Sequence, residues 1–168
     1  MLHLEKDNII MKIYFDMNIY NRIFDDQSQI RIRFESMAID ILFELIEKEA
    51  YELVWSFILE FENSRNPFME RRVHIQAISS LCKEAVNPND KIRDMAKEII
   101  TKSNAKDKDA LHLAAAVYSK CDCFLTCDDN FLRTIERNKS SLKEIIGLIK
   151  LYNPIDFLRK EMDINVIE

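Results

Sequence analysis

Apolar positions along the chain fall into short runs that alternate with stretches of helical period. Residues 11–15 (MKIYF) form an apolar run with aromatic and branched members ending at Asp16, as a buried strand would. From about residue 29 to residue 50, Phe34, Met37, Ala38, Ile41, Leu42, Leu45 and Ile46 follow helical spacing. Residues 52–55 (ELVW) predict a second strand, and a helix follows through Glu62 to a stop near Pro67. Helical spacing resumes over 67–85, Asn87-Pro88-Asn89 marks a turn, and 90–100 predicts another helix. Asp109 opens the next helix, with apolar Ala110, Leu113, Ala114 and Val117. Residues 123–126 predict a third strand, 128–138 a helix and 145–149 a fourth strand, before Pro154 starts a short final helix.

Strands alternating with helices argue for an α/β fold with a mostly parallel sheet. In open sheets of that kind, ligands sit beyond the carboxyl ends of the strands. Asp16 and Asp128 each follow a predicted strand directly, so the topology can make them neighbours. Composition narrows the picture. The 168 residues suit one globular domain, and no apolar run is long enough to cross a bilayer. The opening MLHLEKDNII is too short and too charged for a secretory signal, which makes the cytoplasm the expected location. Glycine occurs once, at Gly147, which excludes a glycine-rich phosphate cradle.

The net charge is −5, whereas a nucleic-acid binder more often has a basic surface. Local clusters remain at Arg65–Arg71–Arg72 and Lys102–Lys106–Lys108, each either a solvated helix face or a nucleic-acid contact. Cys121, Cys123 and Cys127 lie close together, but adjacent strand residues point to opposite faces, so three thiols cannot converge from one extended segment. With Cys82 they are read as reduced, mostly buried thiols.

Four acids stand out: Asp16, Glu62, Asp109 and Asp128. Hard divalent cations want oxygen ligands, and converging carboxylates supply both oxygen and charge. Each acid also has a plain structural reading. Asp16 and Asp128 could cap the helices that follow them, Asp109 could be a cap or first-turn acid, and Glu62 could be a solvated face beside Glu60 and Arg65.

Order and context separate these readings. MKIYFDMNIYNRIFDD resembles the opening of a PIN domain, with Asp16 after a hydrophobic strand and Asn18 two positions on. WSFILEFEN resembles the second PIN motif, a serine (Ser56) with an acid six residues later, which selects Glu62 over Glu60. KDALHLAAAVYSKCDCFLTCDDNF resembles the family's D-A-x-x-A-x-A helix followed by a strand ending in T-x-D and then Phe; these match Asp109, Thr126, Asp128 and Phe131. NPIDFL resembles the closing strand-to-helix turn. The resemblance spans about residue 11 to residue 160, with the first ten residues as an extension before a single domain over 11–168.

It implies a three-layer α/β/α fold with a mostly parallel central sheet of about four to five strands. It also implies a VapC-like ribonuclease dependent on Mg²⁺ or Mn²⁺, with RNA as substrate, an antitoxin partner and a homodimer. Asp16, Glu62, Asp109 and Asp128 would bind metal; Asn18 and Thr126 would position carboxylates or water, with Asp129 and Glu60 as alternates. His74 and His112 are read as structural histidines, Asp25–Asp26 as a turn and Trp55 as core. Two rival functions remain. One is a degenerate PIN module that binds RNA or protein. The other is a haloacid-dehalogenase-type phosphatase, for which YFDMN carries Asn18 where a second Asp is needed.

Overall fold

The computed structural model describes residues 9–161, so most of the expected extension, residues 1–8, lies outside it, as do residues 162–168. Five strands form one sheet: β1 (Met11–Phe15), β2 (Tyr51–Ser56), β3 (Glu84–Val86), β4 (Cys123–Leu125) and β5 (Lys150–Tyr152). All pairings are parallel and the order is β3-β2-β1-β4-β5. The chain thus builds outward from β1 on one side, then crosses back to lay β4 on the other. The strand order reverses between β1 and β4, which opens a crevice at their carboxyl ends.

Parallel strands need crossover connections, and helices supply them here. The first group is α1 (Met17–Asn21), a 3₁₀ turn (Arg22–Phe24), α2 (Ile30–Glu47), α3 (Phe57–Ser64) and α4 (Met69–Ser79). The second is α5 (Asp90–Ser103), α6 (Asp107–Tyr118), α7 (Asp129–Arg137) and α8 (Lys139–Ile146); α9 (Pro154–Glu161) returns to lie on α2. Together they form the three-layer α/β/α arrangement that the motifs predict. Among the described residues no helix is long and apolar enough to cross a membrane.

The core runs along both faces of the central strands. Ile13, Tyr14 and Phe15 of β1 and Phe124 and Leu125 of β4 are fully buried, as expected of strands covered by helices on both sides. Tyr14 stacks on Phe124 at 5.5 Å, and Phe15 meets Tyr20 and Phe43 edge-on. Truncating such a ring costs about 3–5 kcal/mol.

Several boundaries differ from the sequence pattern. The segment 67–85 is not one helix: α4 ends at Ser79 and β3 follows at Glu84–Val86. Three residues are too few to show a period of two, and only Val86 of the three is buried. The strand expected over 145–149 is instead the end of α8 and a turn. Gly147 closes that helix with φ of +61°, and Leu148 is 94% exposed, so the true strand starts at Lys150. Most of α8, residues 139–144, falls in a stretch that the sequence pattern leaves unassigned. Asp109 does not open its helix; α6 begins two residues earlier, at Asp107. The short α1 directly after Asp16 also escapes a periodicity reading, being five residues long.

Candidate functional site

Asp16 sits at the switch point, one residue beyond β1, and its N–H donates to the Leu125 carbonyl of β4 at 3.0 Å. Its carboxylate is 7% exposed and fully engaged. Oδ1 accepts from the Met17 N–H at 2.7 Å, which caps α1. Oδ2 accepts from the Thr126 hydroxyl at 2.8 Å and from Asn18 Nδ2 at 3.0 Å. Asn18 also donates to Thr126 Oγ1 at 2.9 Å and accepts the Cys127 N–H at 2.9 Å, so it staples the end of β1 to the end of β4. Both residues that the motifs assign a supporting role therefore hold the Asp16 carboxylate directly.

Glu62 comes to the same place along a different route. Ser56 ends β2 and caps α3, accepting the Leu59 N–H at 3.3 Å, which sets the helix that carries Glu62. Glu62 Oε2 lies 2.6 Å from His112 Nε2, and Oε1 lies 2.7 Å from Lys108 Nζ. His112 is fully buried on α6, with Nε2 3.7 Å from Asp16 Oδ1 and Nδ1 2.7 Å from the Tyr14 hydroxyl. Tyr14 in turn lies 2.6 Å from Ser56 Oγ. A carboxylate only accepts, so Nε2–H must donate to Glu62. One neutral imidazole then satisfies the whole chain: Leu59 N–H to Ser56, Ser56 O–H to Tyr14, Tyr14 O–H to His112 Nδ1, and Nε2–H to Glu62. His112 is more than the structural histidine expected. It joins Glu62 to β1, and its spacing of three from Asp109 was the available signal.

Glu60 goes elsewhere: it is exposed and accepts from Trp55 Nε1 at 3.0 Å. The two acids after Leu125 separate in the same manner. Asp128 accepts the Asn130 and Phe131 N–H groups at 2.9 and 3.1 Å and caps α7, while its own N–H donates to Thr126 Oγ1 at 3.1 Å. Asp129 pairs with Arg31 through both oxygens. The capping readings of Asp16 and Asp128 thus hold alongside their position at the switch point. Elsewhere, Asp25 pairs with Arg22, Asp26 accepts the Ser28 N–H in a turn, and His74 meets the Phe24 ring edge-on.

The electrostatics show an excess of negative charge. Burial raises the Asp16 pKa and the Glu62 charge adds to it, against the pull of His112, Thr126 and the Met17 N–H. Burial also raises Asp109, which feels the charges of Asp16 and Asp128. Glu62 moves the other way: burial would raise it, but His112 and Lys108 together lower it. Asp16, Glu62, Asp109 and Asp128 are therefore linked through one field. Their donor set is all oxygen, which suits a hard cation. Among the described residues no group of three or more His, Cys, Asp or Glu stands close enough to hold a metal ion in this arrangement. Cys121, Cys123 and Cys127 are buried and Cys82 half-buried; all are unbridged, and burial pushes each thiol up to about 12.

The PIN domain model matches residues 13–136, well over half of the chain. The chain belongs to the PIN domain family. PIN domains are in general nucleases. Two solved structures are similar in fold. One is the VapBC2 complex from Rickettsia felis bound to a DNA fragment from their promoter, with a TM-score of 0.54. The other is FitAcB from Neisseria gonorrhoeae, with a TM-score of 0.56. Each is 14% identical to this chain, covering 85% of it and 98% of the matched chain. No curated protein matches. The matched span includes every residue of the PIN-like acid set, from Asp16 to Asp128, together with His112 and Thr126.

Proposed function

We propose that this PIN domain is a metal-dependent endoribonuclease that hydrolyses RNA phosphodiester bonds. Asp16, Glu62, Asp109 and Asp128 would hold Mg²⁺ or Mn²⁺. One observation carries the reading: a buried, firmly positioned Asp16 at the switch point shares its field with Glu62 and with Asp109, which in turn feels Asp128. Such an excess of carboxylate favours a cation. A bound divalent ion lowers the pKa of a coordinated water and stabilises charge on a phosphoryl oxygen. Asn18 and Thr126 fix the Asp16 oxygens, and the chain from Ser56 through Tyr14 and His112 orients Glu62. Partners of this kind commonly decide ligand geometry and affinity.

Incubating the protein with a mixed RNA pool, with and without chelator, tests the reading. Cleavage that needs Mg²⁺ or Mn²⁺ and disappears in Asp16→Asn supports it; equal cleavage by that variant removes the assigned site. A second reading has its own support. Lys108 and His112 already occupy both oxygens of Glu62, and no three acids converge among the described residues. That arrangement suits a PIN module that binds RNA or protein without cutting, and binding without cleavage in the same assay would establish it.

The likeness to VapBC2 and FitAcB supports a further step, a toxin held by an antitoxin protein, to which the motif resemblance adds a homodimer and the sequence a cytoplasmic location. Growth arrest on induction in bacteria, relieved by a co-expressed neighbouring gene product, is the expected result. Normal growth in both cases counts against the toxin role and leaves the nuclease question to the cleavage assay.

A further inference from the structure

Beside the acid site, α3 and α4 expose aromatic rings paired with arginines. Phe61 and Phe68 are 59% and 55% exposed. The Arg65 guanidinium lies over the Phe61 ring at 5.3 Å, and that of Arg71 lies over Phe68 at 4.5 Å and over Phe24 at 5.2 Å. Arg72 shares the segment and donates to the Asn66 carbonyl at 2.6 Å. Among the described residues, none of these three arginines has a carboxylate within ion-pair distance. On a chain of net charge −5, that is a local exception.

The position matters as much as the composition. Arg65 caps α3 in helical conformation three residues after Glu62, so it lies about one turn, roughly 5 Å, beyond the site acid. The α3–α4 turn is tied back to α1 by Asn66, whose Nδ2 donates to Asn21 Oδ1 at 3.4 Å. α1 is the helix that Asp16 caps. The patch is thus joined to the site through both α1 and α3.

We propose that Phe61–Arg65 and Phe68–Arg71 form a stacking platform for bases of single-stranded RNA next to the scissile phosphodiester. This rests on the ribonuclease reading and names where its substrate runs. Exposed phenyl rings offer flat apolar faces that any base can cover, and guanidinium groups stack on bases while attracting phosphate. A protein partner would use the rings, but three arginines without acid partners complement a polyanion better. Of the remaining acids on these helices, Glu60 is held by Trp55 and Glu70 stands alone on the first turn of α4. Stacking without base-edge donors also predicts little sequence preference at this position.

The test measures binding and cutting separately. A fluorescently labelled oligouridylate is titrated in chelator against the wild type, Phe61→Ala/Phe68→Ala, Phe61→Tyr/Phe68→Tyr and Arg65→Ala/Arg71→Ala; cleavage is followed in parallel with Mn²⁺. The alanine pair should weaken binding by about tenfold or more, and the tyrosine pair should restore it. The arginine pair should flatten the salt dependence of binding by about one to two counterions. All variants should melt within a few degrees of the wild type, since the rings are exposed. If the wild type cuts RNA and the alanine pair binds as tightly as before, the platform is refuted and the nuclease reading stands. If the wild type binds but cuts nothing and the alanine pair loses binding, the platform stands and the nuclease reading falls. No binding by the wild type refutes the platform. So does a change of oligomeric state in the alanine pair with RNA affinity intact, which would mark a protein interface.

Discussion

Asp16 and Glu35 are both buried carboxylates, at 7% and 0% exposure, yet their surroundings are opposite in sign. Glu35 is clamped by cations. Arg22 Nε lies 2.7 Å from Oε2, too poorly aligned for a hydrogen bond, while Arg31 Nε and Asn153 Nδ2 donate to Oε1 at 2.9 and 2.7 Å. Arg31 reaches on to Asp129, so one network ties α2 to the 3₁₀ turn, α7 and the start of α9. Around Asp16 the Glu62 charge adds to the cost of burial, and Lys108 pairs with Glu62 rather than with Asp16. Among the described residues His112, 3.7 Å away, is the one group within ion-pair distance able to carry positive charge. A carboxylate that serves the fold is neutralised by the fold. One left short of positive charge at a switch point is stabilised only when a cation arrives from outside, or when it takes a proton.

Substitutions can break this contrast. Asp16→Asn should lower RNA cleavage by about 10²–10³-fold, the scale of several kcal/mol of transition-state stabilisation, with the fold kept. Circular dichroism and a gel-based rate assay would check it; a loss below about threefold would dismantle the site assignment. Glu35→Gln should do the reverse. It removes the buried charge that Arg22 and Arg31 share, leaving them only Asp25 and Asp129, and should cost about 3 kcal/mol in urea unfolding, with the cleavage rate of the folded fraction unchanged. Loss of cleavage without loss of stability would erase the distinction between the two carboxylates.

The response to metal and pH sharpens it. Saturating Mn²⁺ should raise the melting temperature by about 5–10 °C in the wild type and far less in Asp16→Asn. Asp16 and Asp109 have folded pKa values above the usual carboxylate range. Their contribution to stability is therefore fully present below the unfolded pKa and lost as pH rises through the folded one. Glu62 is lowered, so its contribution is present above the unfolded pKa and lost as pH falls through the folded one. The Mn²⁺ effect should thus grow as pH rises and the raised acids ionise. It should shrink as acid supplies protons to the same oxygens. A metal shift that grows on acidification would contradict this account.

Smaller effects test the supports. His112→Gln should weaken Mn²⁺ binding by about tenfold, as loss of an orienting partner does, and Tyr14→Phe should cost about 1 kcal/mol of stability. Calorimetric titration showing unchanged affinity in His112→Gln would reduce that residue to packing. Glu60→Gln should leave cleavage within about twofold, because its carboxylate faces Trp55, whereas Glu62→Gln should not.

Much of this was legible in the chain. The run ending at Asp16, the helix after Asp109 and the Thr126–Asp128 pair each announce themselves, because a buried parallel strand must be apolar throughout and its carboxyl end is where polar residues can resume. The alternation of strands and helices fixed the layer arrangement for a similar reason: parallel neighbours require crossovers. Short elements were less legible. β3 and β5 have three residues each, as β4 does, but they lie at the sheet edges and are only partly buried, so they lack the apolar run that marks β4.

What only the tertiary structure decided was pairing. Glu60 and Glu62 are equivalent by type and nearly by position, and so are Asp128 and Asp129. Trp55 and Arg31, distant in the chain or on another element, draw one of each pair away. His112 shows the same limit. Its two hydrogen-bonding partners, Tyr14 and Glu62, come from β1 and α3, and no spacing along one helix reveals partners 50 and 98 residues away. Sequence sets which residues can carry charge or accept a proton. The packing of separate elements sets which of them meet, since that depends on strand order and helix rotation rather than on local pattern.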